Sequence, residues 1–158
     1  KVVNGGRRMR FNALVSGGDG QGQVGAGLGK ALVIPDAVRK GNATARRNMV
    51  KVPMKGSTIP QAITLKKGAS IVIMKPAPVG TGIIAAGSMR AMLDLAGVRD
   101  VVGKCLGSRN PINVAYATLE ALRRLRDPAV ELARRRDNTP SRPGLHGTAP
   151  APIDGSRR

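Results

Sequence analysis

The amino-acid sequence predicts an α+β fold built from two modules. Segments in which apolar and polar residues alternate, the pattern of strands, are mixed with segments of helical periodicity. A basic connector punctuated by Pro and Gly, residues 53–60, separates the two groups of elements. We therefore expect a first module at residues 1–52, a second at 61–127, and a basic, largely irregular tail at 128–158. A chain of 158 residues is long enough for one domain or for two small ones.

A glycine-rich segment dominates the first module, with seven glycines among residues 17–29. Alternation over residues 7–16 predicts a strand before it, and Asp19-Gly20 suits a tight hairpin turn. Beyond the turn, glycines at every second position leave one strand face bare, so that a helix or a ligand can approach the backbone. A third strand is expected at about residues 30–34. The first module is therefore predicted to hold a three-stranded sheet followed by a helix.

The same segment matches the letters of a dinucleotide-binding motif at Gly20, Gly22 and Gly25. That motif requires a helix that opens within it, whereas a second strand pattern follows here, and no acidic residue lies about twenty residues further on. A phosphate-binding loop ending at Lys30 is excluded because Val24 stands where its first glycine belongs. We favour a hairpin and keep a nucleotide-dependent enzyme as the alternative.

The predicted helix after the hairpin begins at Pro35 and Asp36 and extends to about residue 49. Basic residues recur in it at intervals of seven and so share one stripe, formed by Arg39, Lys40, Arg46 and Arg47. A weak apolar stripe is expected on the other side, at Val38, Asn42, Ala45 and Met49, and Gly41 costs the helix about 1 kcal/mol. Since no acid occurs between Ala37 and Leu93, we expect no acid to balance the basic stripe. Contact with a polyanion is favoured over a solvated charged face.

The second module alternates strands and helices. Strands are predicted at residues 62–66 and 69–75, and another at 98–106. The helix between them presents a helically spaced apolar face and stops at Gly97; this face is formed by Met89, Met92, Leu93 and Ala96. Asn110-Pro111 predicts the start of a further helix, whose apolar face holds Ile112, Ala115, Leu119 and Leu122.

The charge of the chain points to an anionic partner. Lys and Arg number 27 against 9 acids, a net charge of +18. Nucleic acid is the leading candidate; an anionic membrane is the alternative, but no interfacial helix pattern and no run of about 20 apolar residues occurs. Phe11 and Tyr116 are the only aromatic residues, so we expect contacts with phosphate and sugar rather than stacking on bases.

Candidate catalytic groups are scarce. Cys105 is the only cysteine and is expected to be a small buried residue, and His146 is the only histidine, in the tail. No pair of carboxylates and no cluster of metal ligands is apparent in the spacing. We therefore expect no enzyme, no metal and no cofactor.

Several blocks of sequence, spread over residues 1–126, resemble the bacterial-type small-subunit ribosomal protein S5 family. They are GGR at 5–7, RFNALV at 10–15, GDGQGQVG at 18–25, ARRNM at 45–49, GTGIIAAG at 80–87, MRAMLDLAGV at 89–98 and GSRNPINV at 107–114. The resemblance implies a first module like a double-stranded-RNA-binding fold and a second with a left-handed crossover. It also implies a non-catalytic protein that binds small-subunit ribosomal RNA, lines the messenger-RNA entry path and supports translational accuracy.

The resemblance further implies the place of the chain in its assembly. The family sits beside the third, fourth and eighth small-subunit proteins, and the expected location is the small subunit of a ribosome in the bacterial cytoplasm or in an organelle (chloroplast or mitochondrion). Residues 1–7 match a basic loop that reaches RNA near the spectinomycin site. Gly82 and Arg90 match positions at the interface with the fourth protein; the plainer alternative for Arg90 is an intrahelical pair with Asp94.

The charge pattern, the glycine loop and the resemblance together give a set of candidate RNA-binding residues. These are Lys1, Arg7, Arg8, Arg10, Gly20, Gly22, Gly25, Lys30, Arg39, Lys40, Arg46, Arg47, Lys51 and Lys55.

Overall fold

A computed structural model describes residues 2–137. Within this range the chain is a mixed α+β protein, as predicted. Its elements are β1 (Val2–Val3), β2 (Gly6–Arg7), β3 (Phe11–Gly18), β4 (Gln23–Ala31), α1 (Ile34–Arg47), β5 (Val50–Lys51), β6 (Ile63–Lys67), β7 (Ser70–Pro76), β8 (Ile83–Ile84), α2 (Gly87–Leu95), β9 (Val101–Gly107), α3 (Pro111–Arg123) and α4 (Pro128–Asp137).

The N-terminal sheet consists of β3, β4 and β5 in that order, all antiparallel. In the turn between β3 and β4, the Asp19 carboxylate accepts hydrogen bonds from the amides of Gln21 (2.8 Å) and Gln23 (2.9 Å). These bonds hold the turn and lower the pKa of Asp19. The prediction of a third strand at residues 30–34 is wrong. Because no turn interrupts β4, this strand runs unbroken to Ala31, and the third strand of the sheet is Val50–Lys51.

Helix α1 packs directly on the bare face of β4. A Cβ atom at Gly25, Gly27 or Gly29 would overlap the carbonyl oxygen of Ala45, Gly41 or Ala37, respectively. The glycines of the strand therefore make room for a helix, one of the two outcomes that the sequence left open.

The buried stripe of α1 is formed by small residues, Ala37, Gly41 and Ala45. The apolar stripe expected on this helix was wrong in all but Ala45, since Val38 and Met49 remain 38% and 40% exposed. Close approach of the two backbones excludes the larger side chains from the contact. Gly41 is part of this fit, because a Cβ there would lie 2.7 Å from a methyl carbon of Val15.

The C-terminal sheet has the strand order β6-β7-β9-β8, with β8 parallel to β9 and the others antiparallel. The apolar face predicted for α2 is confirmed, since Met89, Met92, Leu93 and Ala96 are fully buried. The start of α3 is confirmed as well, because the Asn110 side chain accepts a hydrogen bond from the Ile112 amide at 3.1 Å.

A single core joins the two sheets. The cluster of buried side chains includes Val24 and Ala26, on the face of β4 turned away from α1, together with residues of α2, α3 and the C-terminal sheet. Val52, which directly precedes the connector, and Ile59 within it are buried in the same cluster. β4 is therefore covered on one face by α1 and on the other by this core.

The tip of the β3–β4 hairpin also contacts the end of α2 through backbone atoms. The amide of Gly20 donates to the carbonyl of Leu95 at 3.0 Å, and the amide of Gly22 donates to that of Ala96 at 2.9 Å. Gly97, with φ of +83°, follows directly and lies against Gly20. We call this contact between residues 18–22 and 95–97 the hairpin–helix seam.

The described residues include a helix in the segment that we expected to be largely irregular. α4 covers Pro128–Asp137, and Glu131 in its first turn pairs with Arg126 (3.3 Å) and Arg134 (4.0 Å). The rest of that segment, with His146, lies outside the described residues, as does Lys1.

Candidate nucleic-acid interface

The basic stripe of α1 forms the centre of the candidate interface. At about 100° per residue, its four cations fall within a sector of about 120°, and all four are exposed on the side opposite to the buried small residues: Arg39, Lys40, Arg46 and Arg47. The expectation that no acid balances the stripe is wrong at one position, because Asp36 pairs with Arg39 at 3.3 Å. Asp36 lies one turn earlier, at the start of the helix, where a carboxylate also favours the helix dipole.

Arg46 and Arg47 stand at the other end of the helix. The Arg47 Nε donates to the carbonyl of Ala43 at 3.4 Å, and neither arginine forms a salt bridge within the described residues. Cations in the last turn of a helix face the partial negative charge of its carbonyl end, which stabilises them there. Two exposed lysines, Lys51 and Lys55, continue the basic surface beyond the helix.

The basic N-terminal segment forms a small hairpin of its own. β1 pairs with β2, and Gly5 lies in the turn between them. Arg7, Arg8 and Arg10 are exposed here, so the structure presents these three candidates to solvent. Lys30, at the far end of β4, is exposed as well.

The candidate glycines need correction. The amides of Gly20 and Gly22 are occupied by carbonyls of α2, so these groups are not open to phosphate. Gly25 is buried under Ala45 of α1. Because glycines serve close packing as readily as ligand contact, their spacing alone did not distinguish the two uses. The three glycines position the protein's own elements.

Gly82 lies in a loop that a buried carboxylate holds in place. The Asp100 side chain accepts hydrogen bonds from the amides of Gly80 (2.9 Å) and Gly82 (3.0 Å) and from the Ser57 hydroxyl (2.5 Å). These hydrogen bonds lower the pKa of Asp100, and the bond from Ser57 has the largest effect. Sequence reasoning missed this residue; the available signal was an acid directly before a strand, after a loop with two closely spaced glycines.

Arg90 is exposed on α2, one turn before Asp94. The two side chains form no salt bridge, although ion pairs at similar helical spacing occur at Asp36–Arg39 and Glu120–Arg124. The plainer alternative for Arg90, an intrahelical pair, is therefore not what the structure contains.

The described part of the chain offers no catalytic constellation. No group of three or more His, Cys, Asp or Glu residues within it could hold a metal ion. Burial raises the pKa of the Cys105 thiol, which disfavours the thiolate that a nucleophile needs. A strand, β4, follows the glycine pattern where a nucleotide site would require a helix. Among these residues, no helix is long and apolar enough to cross a bilayer.

An exposed basic helix face on a small α+β fold is typical of a structural protein that binds nucleic acid. Comparison with known families makes the assignment specific. Residues 1–53 match the family model "Ribosomal protein S5, N-terminal domain", and residues 65–136 match "Ribosomal protein S5, C-terminal domain". The chain belongs to the ribosomal protein S5 family.

Bacterial relatives agree with this assignment. The chain is 58% identical over 129 residues to the small ribosomal subunit protein uS5 of Thermus thermophilus. These aligned residues cover 82% of this chain and 80% of that protein. It is 53% identical over 127 residues to uS5 of Syntrophobacter fumaroxidans (80% and 76%), and 49% identical over 138 residues to uS5 of Dehalococcoides mccartyi (87% and 80%). The chain is thus a structural, RNA-binding component of the small ribosomal subunit, and not an enzyme.

Proposed function

We propose that this chain binds folded small-subunit ribosomal RNA through the exposed basic side of α1. The observation that carries the proposal is the group of four cations on one helix face, of which only Arg39 has an acidic partner among the residues that the structure describes. Further exposed cations are candidates for the same RNA contact; they are Arg7, Arg8, Arg10, Lys30, Lys51 and Lys55, with Lys1 as a further candidate outside the described residues.

The mode of binding follows from the residue types. Arg and Lys contact phosphate oxygens, which fixes the position of the protein on a helix without reading its sequence. Double-stranded RNA is recognised mainly by shape and through phosphate and 2′-hydroxyl groups. With one Phe and one Tyr in the whole chain, stacking on unpaired bases contributes little. The binding site is therefore a phosphate-contacting surface for structured RNA.

The finer description of the fold is also a proposal. An antiparallel three-stranded sheet with α1 on one face supports a module like a double-stranded-RNA-binding fold at residues 1–52. β8 and β9 are parallel neighbours joined through α2, so their connection is a crossover, which we propose is left-handed within a module at 61–127. Residues 53–60 connect the two modules, and 128–158 form an appended tail.

We also propose the partners and role that the family resemblance implies. The third, fourth and eighth small-subunit proteins are the expected neighbours, with Gly82 and Arg90 at the interface with the fourth. The side chain of Arg90 is exposed and forms no salt bridge with any described residue, which supports such a contact. In this position the chain lines the entry path of messenger RNA and supports accurate decoding.

The test compares two pairs of adjacent arginines. Arg46→Ala with Arg47→Ala removes half of the basic stripe, whereas Arg123→Ala with Arg124→Ala removes two arginines from the end of another helix, α3. Binding to small-subunit ribosomal RNA is measured across a range of salt concentrations. The first double variant should lose at least tenfold in affinity, and the slope of log K against log salt should fall by roughly one for each phosphate contact removed.

The second double variant serves as the matched control and should bind like the parent chain. Equal losses from both pairs would mean that total charge, and not the α1 surface, determines binding. An unchanged affinity of the Arg46 and Arg47 variant would mean that the stripe is merely solvated.

A further inference from the structure

An exposed apolar patch surrounds the start of α1. Three consecutive residues are largely exposed there: Leu32 (68%), Val33 (53%) and Ile34 (56%). Phe11, which is 36% exposed, pairs with Ala31 in the adjoining strand and adds to the same end of the sheet. We call Leu32, Val33 and Ile34 the apical patch. A group of neighbouring large apolar side chains in contact with water is typical of an interaction site.

Cations border the apical patch. Leu32 and Val33 line a shallow cavity of about 430 Å³ together with Arg10, Lys30 and Lys40. Among the described residues, Asp36 is the one acid in the lining, and its carboxylate is already paired with Arg39. A ligand that fills this cavity therefore meets the side chains of Leu32 and Val33 and three positive charges.

We propose that the apical patch docks a protein segment that carries acidic residues beside an apolar side. Charge complementarity supports the acidic character, since the lining provides three cations and its one acid among the described residues is paired. The aliphatic side chains support a protein rather than RNA, because ribose and phosphate gain nothing from contact with Leu32 and Val33. Base stacking would require aromatic side chains, and Leu32, Val33 and Ile34 are all aliphatic. Arg10, Lys30 and Lys40 also belong to the cations proposed to contact RNA, whereas Arg46 and Arg47 lie at the opposite end of α1, outside this cavity.

The first experiment identifies what touches the patch. A photoreactive leucine analogue is placed at position 32 of the full chain, the chain is assembled into small subunits, and crosslinked products are mapped by mass spectrometry. The proposal expects a crosslink to one defined protein segment that carries a net negative charge and aliphatic or aromatic residues. Crosslinks confined to RNA or to lipid, or none above the background without light, would overturn it.

The second experiment separates the patch from the RNA surface. Leu32→Ser with Val33→Ser removes apolar area and leaves every cation in place. Val130→Ser with Leu132→Ser is the control, since these side chains of α4 are similarly exposed, at 66% and 56%. The patch variant should bind the crosslinked segment at least tenfold more weakly than the control does. Its affinity for naked small-subunit RNA should stay within twofold of the parent chain.

The results distinguish this proposal from the proposed function. A loss of RNA affinity in the patch variant would place the patch on RNA and overturn the docking proposal, while the effect of the Arg46 and Arg47 variant would still stand. Conversely, loss of the segment without loss of RNA affinity supports the docking proposal even if the α1 stripe proves neutral.

Discussion

The hairpin–helix seam leads to the sharpest prediction, which is that Gly97→Ala destabilises the whole chain. Gly97 has φ of +83°, and its Cα faces the backbone of Gly20. A Cβ atom there would lie 2.7 Å from the carbonyl carbon of Gly20 and would overlap its oxygen. Because the obstacle is backbone and not the end of a flexible side chain, the hairpin itself has to move.

Two costs add up in this variant. An L-residue in the left-handed region costs roughly 1–2 kcal/mol. Retreat of the hairpin weakens the bonds from Gly20 to Leu95 and from Gly22 to Ala96, each with a net value of about 0.5–1.5 kcal/mol. The free energy of unfolding should therefore fall by roughly 2–5 kcal/mol, a large part of the stability of a small protein.

Three control variants separate the two costs in urea unfolding. Gly68→Ala has the strain alone, because φ is +58° and no atom lies within 4 Å of the added Cβ. Gly18→Ala has the collision alone, since its Cβ would lie 2.7 Å from the carbonyl carbon of Leu95 and its φ is not in the left-handed region. Gly17→Ala has neither.

We expect Gly97→Ala to be the most destabilising of the four, and Gly18→Ala to exceed Gly17→Ala clearly. Because one core joins the two sheets, unfolding should also remain a single transition in every variant that folds. If Gly97→Ala costs no more than Gly68→Ala, and Gly18→Ala no more than Gly17→Ala, then the seam contributes nothing and the reasoning from backbone contact is refuted.

Three further predictions concern single side chains. Asp100→Asn should lower the midpoint of urea unfolding at pH 7. Because folding lowers the pKa of Asp100, the carboxylate stabilises the chain above the unfolded pKa of about 3.8, and this stabilisation is lost as the pH falls below that value. The difference in urea midpoint between variant and parent should therefore shrink at acid pH, and an undiminished difference would contradict this. Asn110→Ala should cost about 1 kcal/mol in the same assay through loss of the cap, whereas the exposed Asn113→Ala should cost less; equal costs would argue against the cap. Arg90→Ala should change miscoding in reconstituted small subunits while Asp94→Asn leaves it unchanged, and an unaltered error rate for Arg90→Ala would remove it from the proposed interface.

Local patterns predicted those elements whose signals lie close together in sequence. The apolar face of α2 follows from the spacing of Met89, Met92 and Leu93, and the start of α3 follows from the Asn110-Pro111 pair. Both depend on contacts that the helical geometry fixes within a few residues. The prediction of the third strand was wrong for the opposite reason. Val50–Lys51 is only two residues long, and its Lys51 pairs with Gln23, 28 positions earlier, so its own pattern was too short to detect.

The candidate site was predicted in part. The basic stripe of α1 was found because a spacing of seven places cations on one side of any helix. The use of Gly20 and Gly22 was not found, since their partners at Leu95 and Ala96 lie more than seventy residues away. Asp100 was missed in the same way, because its three donors come from two distant segments.

The position of β4, with α1 on one face and the common core on the other, has a practical consequence. A fragment of the chain that begins after the connector would lack Val24 and Ala26, and the apolar side chains that these residues cover would be exposed to water. Such a fragment should aggregate when expressed, even though it contains all the strands and helices of the C-terminal sheet and its packed helices. The regions matched by the two family models share one buried core in this chain, so we expect them to fold together.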